Sequence, residues 1–255
     1  MIDIENVSKV FTADGHLVRA LDGVSLHIRE GEFVTLLGRS GCGKSTLLRA
    51  VAGLEPPTSG TVRIRGELVV KPRRDVGLMF QKTALLPWRD IIDNVLLPIQ
   101  IMRGDVRAHH DRARELLETV GLGEFAHRRP NELSGGMQQR VSLCRSLIHD
   151  PDVLLMDEPF AALDALTREE LAGELQRICA RHAKTVVFVT HSIDEAVILA
   201  DRTVVMTPRP GRVSHVVDIE ANRPRSLGHS DQGGYLAERR ALLHDLLFER
   251  PEVSA

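Results

Sequence analysis

Cysteine is scarce in this chain, net charge is nearly absent, and long apolar runs do not occur. The three cysteines, Cys42, Cys144 and Cys179, are widely spaced and form no C-x-x-C pair. That excludes a disulfide frame and a zinc-ribbon site, and points to reduced thiols in a cytoplasmic protein. Lys and Arg number 33 against 35 Asp and Glu, a net charge of −2. No basic excess is left to neutralise a phosphate backbone, so nucleic acid is not expected as a partner. No stretch approaches the ~20 apolar residues that a membrane span requires. If a membrane matters, it matters through a partner. Met1-Ile2-Asp3-Ile4-Glu5 has neither the basic nor the apolar segment of a signal peptide. Internal repeats and low-complexity tracts are also missing. What remains is 255 residues, enough for one large α/β domain or one domain carrying a subdomain.

The apolar pattern changes character along the chain. Residues 1–30 place apolar groups in short alternation, and Val62-Arg63-Ile64-Arg65 alternates strictly, as antiparallel strands with one wet face do. Phe33 to Leu37, Val153 to Met156 and Val186 to Val189 are continuous apolar runs of buried parallel-strand length. Helical spacing lies between them. Asp105 is placed to cap a helix that buries Val106, Ala113, Leu116, Leu117 and Val120 and stops at Gly121. Ser134 is placed to cap another, through Val141, Leu143, Cys144 and Leu147. A third pattern, Leu166 to Ile178, sits between two strands and makes a β-α-β unit. Residues 222–234 read as a linker to a terminal helix from Leu236 to Phe248.

Chemistry concentrates in three places. Gly38-Arg39-Ser40-Gly41-Cys42-Gly43-Lys44-Ser45 is a complete G-x-x-x-x-G-K-[ST] phosphate loop between a strand and a helix. Its glycines let backbone N–H groups surround an anion, Lys44 reaches the β- and γ-phosphates, and Ser45 offers a hydroxyl to Mg²⁺. Met156-Asp157-Glu158-Pro159 ends an apolar run; Asp157 suits an oxygen ligand of Mg²⁺ and Glu158 a base for in-line attack on a γ-phosphate. Leu133-Ser134-Gly135-Gly136-Met137-Gln138-Gln139-Arg140 makes a second helix start with exposed N–H groups. Gly weakens a helix by ~1 kcal/mol relative to Ala, so two in a first turn ask for a reason. A plain cap explains the serine only. Two anion-binding helix starts and one phosphate loop suggest a head-to-tail dimer in which each Ser134 loop closes on the other chain's nucleotide.

With Thr190-His191 after the last apolar run, these motifs stand in the order of the ATP-binding subunits of ABC transporters, which the chain resembles over essentially its whole length. The resemblance implies an α/β fold: a RecA-like P-loop ATPase core, an antiparallel β-subdomain and an inserted helical subdomain at about residues 85–150. The ATPase domain would be residues 1–220, followed by a C-terminal linker and helix, 221–255. It implies ATP and Mg²⁺ as ligands. Phe11 would stack on adenine, with a buried core phenylalanine as the alternative. The loop from Gly38 to Ser45, and Thr46 after it, would hold the phosphates. Gln81 would contact Mg²⁺ and the attacking water, and His191 would hold the γ-phosphate and orient Glu158. Ser134, Gly135 and Gly136 would cap the partner's γ-phosphate, and Asp164 would belong to the loop between the two active sites. Three positions depart from the family pattern: Arg39 where proline is frequent, Ala161 where serine is common, and Ser192 where aspartate usually follows the histidine.

Leu85-Leu86-Pro87-Trp88-Arg89 holds the chain's only tryptophan in an unusually apolar loop just after Gln81. It reads either as a local core plug or as a groove for a short helix of a membrane permease subunit. This segment and Arg209-Pro210-Gly211-Arg212-Val213 resemble the nitrate/sulfonate/taurine importer group, which also handles pyrimidine-type and other small organic solutes. The implied protein is a peripheral ATPase on the cytoplasmic face of the cell membrane. A solute-binding protein would be an indirect partner. A soluble ABC-type ATPase of DNA repair or translation shares the nucleotide motifs, but usually carries a coiled-coil insertion or two fused cassettes. A small-molecule kinase would need neither Ser134 nor Glu158.

Overall fold

The computed structural model describes residues 1–13, 16–161, 163–225 and 234–248. Two long strands open the chain, β1 (Ile2–Ala13) and β2 (His16–Ile28), and pair antiparallel. After them come β3 (Phe33–Leu37) and α1 (Lys44–Val51), then β4 (Ser59–Ile64), β5 (Glu67–Leu68) and β6 (Val76–Met79). The helical region holds α2 (Ile91–Ile101), α3 (His110–Thr119) and α4 (Gly135–Leu147). The chain then alternates: β7 (Val153–Asp157), α5 (Ala165–His182), β8 (Thr185–Thr190), α6 (Ile193–Leu199), β9 (Arg202–Met206), β10 (Val213–Asp218), and finally α7 (Tyr235–Phe248). No helix among the described residues is long and apolar enough to cross a membrane.

The strands form two sheets. An antiparallel sheet has the order β2-β1-β4-β5, and a mainly parallel one the order β10-β9-β3-β8-β7-β6. β3, β7 and β8 are buried at every position, as strands covered on both faces must be. This is the RecA-like core with its antiparallel subdomain. The three inserted helices share a core of their own around Ile91, Val95, Leu117, Val141 and Ile148. One helix belongs to both bodies: α4 gives Val141 and Cys144 to that core and Leu143 and Leu147 to the cluster under the sheet. Its backbone lies so close to β6 that a Cβ on Gly77 would sit 2.4 Å from the Ser146 carbonyl oxygen. Ahead of α3, Asp105 Oδ1 accepts from the Arg107 and Ala108 N–H groups, but Asp105 does not cap α3 as expected: a short 3₁₀ turn, Arg107–His109, intervenes, and His109 stands at the start of α3 with no side-chain cap. Cys42, Cys144 and Cys179 are all free and buried, and burial pushes the thiols of Cys144 and Cys179 up.

The C-terminal helix is part of the main body. Leu243 of α7 is fully buried against Leu37, Val197 and Val217, and Arg240 pairs with Asp194 of α6 at 2.8 Å. Just ahead of it, buried Arg225 donates to the Val197, Ala200 and Ile219 carbonyls, which closes the end of α6. Residues 226–233 of the expected linker lie outside the described residues.

Two outcomes follow. Leu243→Ala removes a fully enclosed side chain, so it should cost about 2–4 kcal/mol and lower the midpoint of thermal unfolding by roughly 5–10 °C. An unchanged melting curve would mean that α7 does not pack. Asp150 is held below the usual carboxylate range by its bond with Lys184 at 2.8 Å, and by Arg112. A lowered folded-state pKa gives stability that is present above the ordinary pKa and lost as pH falls through the lowered one. Asp150→Asn keeps a residue tolerant of the left-handed backbone found there (φ 54°). It should destabilise the protein near neutral pH, with the difference closing as pH falls below the ordinary carboxylate range; melts across pH check this.

Candidate active site

Four parallel strands end side by side, and each delivers a different group. Register pairs Leu37 with Thr190, Asp157 with Val189, and Met79 with Met156. Read across the sheet, the strand ends therefore carry the phosphate loop after β3, His191 after β8, Asp157 and Glu158 at β7, and Gln81 after β6. A cleft at the carboxyl ends of parallel strands is where α/β folds place ligands.

The phosphate loop has a conformation only its glycines allow. Gly41 and Gly43 have φ of 78° and 101°, and a Cβ on Gly43 would lie 2.7 Å from the Ala20 carbonyl oxygen. Gly43 also starts α1 without a side-chain cap, which leaves the first N–H groups of the helix free for an anion. Lys44 is buried, and its Nζ donates to the Gly38 oxygen at 2.7 Å and the Arg39 oxygen at 3.1 Å. Among the described residues it has no carboxylate partner. It also lies 3.8 Å from Cys42 Sγ, and a desolvated ammonium held by neutral acceptors alone suits an anion. Ser45 Oγ donates to Asp157 Oδ1 at 2.6 Å, which sets two oxygens side by side at the mouth of the helix. Burial raises the Asp157 pKa, against the opposing Ser45 bond.

Glu158 lies in the left-handed region, φ 45°, with its N–H bonded to the Val189 oxygen at 3.0 Å. Such strain in a non-glycine residue marks a position where geometry is imposed. Its Oε2 accepts from Gln81 Nε2 at 3.3 Å and lies 3.4 Å from His191 Nδ1. Below His191, Thr190 Oγ1 donates to the buried Glu195, whose pKa burial raises, and Arg168 stands 3.5 Å from the other carboxylate oxygen. Ser192 caps α6, its Oγ accepting from the Glu195 N–H. Serine at this departure from the family pattern thus serves as a helix cap. Thr46, Ser40 and Phe11 line the same pocket as Lys44 and Glu158. Phe11 is half-buried and outside the core clusters, so it is not a buried core phenylalanine; Lys9 Nζ lies 5.0 Å from its ring centre.

The second helix start is elsewhere. Ser134 caps α4, accepting from the Met137 N–H at 3.3 Å, and is exposed, away from the lining of the phosphate-loop pocket. The glycine pair divides. A Cβ on Gly136 would come 2.9 Å from Thr167 Cγ2, so packing within the chain demands that glycine, whereas Gly135 faces open space. Asp164 caps α5, accepting from the Thr167 N–H at 3.0 Å and hydroxyl at 2.7 Å, and these bonds hold its carboxyl low. Trp88 is 69% exposed. Its loop is anchored by buried Asn94, which accepts from the Leu86 N–H and donates to the Leu86 and Asp90 carbonyls. Not singled out as site residues from sequence were Arg209, Val18 and Ala20, which also line the pocket, and the Glu195–Arg168 support of His191. For Arg209 a signal existed in the Arg-Pro-Gly-Arg motif. For Glu195 it was only a capping-box spacing from Ser192.

Comparison with known proteins agrees with this geometry. Residues 21–161 match the family model described as ABC transporter. The chain is 48% identical over 253 residues to the taurine import ATP-binding protein of Rhizobium johnstonii, covering 96% of this chain and 97% of that one. It is 42% identical over 250 residues to the bicarbonate transport ATP-binding protein of Synechococcus elongatus, covering 97% and 90%. Among solved structures, the dimeric post-hydrolysis state of an ATP-binding cassette bound to ADP and Pi superimposes with a TM-score of 0.78 and 35% identity, over 87% of this chain and all of that one. The chain belongs to the ABC transporter family, as an ATP-binding and ATP-hydrolysing subunit.

Proposed function

We propose that two copies of this chain close head to tail over two ATP molecules, and that this closure drives an importer for a small anion. One observation carries the reading. Glu158, Gln81 and His191 converge beside the phosphate loop, while Ser134 and Gly135, the other anion-binding turn, face open space away from it. A two-fold dimer satisfies both, because residue i of one copy meets residue j of the other and the reverse. Phe11 stacks on adenine, the backbone from Gly38 to Thr46 and the Lys44 ammonium take the phosphates, and the partner's Ser134, Gly135 and Gly136 close over the γ-phosphate. Asp164 lies on the segment beside Gly136 and shapes the contact between the two sites. Ser45, Asp157 and Gln81 would hold Mg²⁺, for which the adjacent Ser45 and Asp157 oxygens are a fitting hard donor set. When bound, the ion supplies charge neutralisation at the phosphates.

The chain's own groups do the rest. Glu158 accepts a proton from the attacking water, Gln81 fixes the carboxylate from one side, and His191 sits against it from the other. The link to transport runs through residues 81–84. Gln139 Nε2 donates to the Gln81 carbonyl at 3.3 Å and Arg145 Nη1 to the Ala84 carbonyl at 2.9 Å, so the segment beside Glu158 is tied to the helix that Ser134 caps. Trp88 and its neighbours receive the permease subunits on the cytoplasmic face of the membrane, and a solute-binding protein selects the cargo. Taurine and bicarbonate, named for the relatives, support a small anion as the solute.

Glu158→Gln should lower turnover by roughly 10²–10⁴-fold while leaving an ATP-bound dimer visible by size-exclusion chromatography. Unchanged phosphate release would remove Glu158 from the mechanism. Composite sites are tested by mixing. Lys44→Ala and Ser134→Ala chains should each be inactive alone. Their equimolar mixture should recover about a quarter of wild-type ATPase activity, since half the dimers then hold one intact site of two. No recovery would mean that each site lies within one chain.

A further inference from the structure

The loop between β9 and β10 is seated directly on the phosphate loop. A Cβ on Gly211 would lie 2.0 Å from the Cys42 carbonyl oxygen, so only glycine lets the two backbones approach this closely. The Gly211 N–H donates to the Ala20 oxygen and its carbonyl accepts from the Asp22 N–H, both within 3.0 Å. The loop's two arginines are used differently. Arg212 Nε donates to Asp22 at 2.9 Å and is neutralised there. Arg209 has no carboxylate partner among the described residues; its Nε reaches only the Gly41 oxygen, at 3.4 Å, and its side chain lines the pocket with Phe11 and Lys44.

We propose that Arg209 is a further nucleotide-binding residue, whose guanidinium contacts the phosphates of the bound nucleotide from beside Gly41. The inference rests on the pocket being the nucleotide site. Its charge balance supports it. Lys44 and Arg209 are the cationic side chains lining the pocket, against one acid, Glu158. A nucleoside di- or triphosphate brings several negative charges to this space. The planar guanidinium offers paired donors to phosphate oxygens, and its exposed position makes the contribution sensitive to salt.

The experiment is a fluorescence titration of the full chain with mant-ADP at low and high ionic strength. Arg209→Ala should weaken binding about 5–10-fold in low salt and about twofold at 0.5 M salt, while Arg209→Lys stays within about threefold of wild type. Wild-type affinity in Arg209→Ala would overturn the proposal. So would a salt-independent loss shared by both variants, which would assign Arg209 to loop packing. Lys44→Ala serves as the control for the underlying reading. If it binds mant-ADP as tightly as wild type, the pocket is not the nucleotide site, and that failure is separate from a failure of Arg209.

Discussion

Parallel pairing of β3 with β8, β8 with β7 and β7 with β6 is the constraint on which the rest of this molecule depends. Strands that run the same way bring their carboxyl ends to one edge. Residues far apart in the chain therefore meet: Gln81 and His191 lie 3.3 and 3.4 Å from Glu158, and Gln81 and Glu158 line one pocket with Lys44. A one-residue slip at β7 would turn Asp157 away from Ser45 and break the 2.6 Å bond between them. Complete burial of these strands makes such a slip costly, so the core that stabilises the fold also sets the geometry of the chemistry.

Buried polar groups give the site its tension. Lys44 is enclosed with two carbonyls and the Cys42 sulfur, all neutral. Glu195 is enclosed with Thr190 and Arg168, and burial holds its pKa above the ordinary carboxylate range. Each is an arrangement that water would otherwise satisfy. Lys44 has no acidic partner among the described residues, whereas Glu195 is satisfied internally and stiffens the turn that presents His191. The same logic extends outward. Gln139 and Arg145 bond the carbonyls of Gln81 and Ala84, which ties α4 to the segment beside Glu158.

Much of this was legible in the sequence where local chemistry decides. The phosphate loop, the capping serine of α4, the continuous apolar runs and the alternation of the first strands all follow from spacing within a short window. Asp105 is not the cap of α3 that its place before the helical pattern suggests, because a 3₁₀ turn stands between them, a choice of hydrogen-bond partner that side-chain spacing does not encode. The Gly135–Gly136 pair was legible only as a question. The structure answers half of it through Thr167, a contact between two helices far apart in sequence.

The sequence by itself determined which residues are able to bind phosphate, hold a metal or accept a proton, because those capacities belong to side chains and to backbone conformations that glycine alone permits. The tertiary structure decided which of them act together. It set Glu158 between Gln81 and His191, moved Ser134 away from Lys44, placed Arg209 over Gly41, and folded α7 onto α6 through Leu243. None of these has a local signature, since each depends on strand order and on packing between segments separated by tens to more than a hundred residues. Such contacts are selected by burial of the whole core rather than by the propensity of any one stretch.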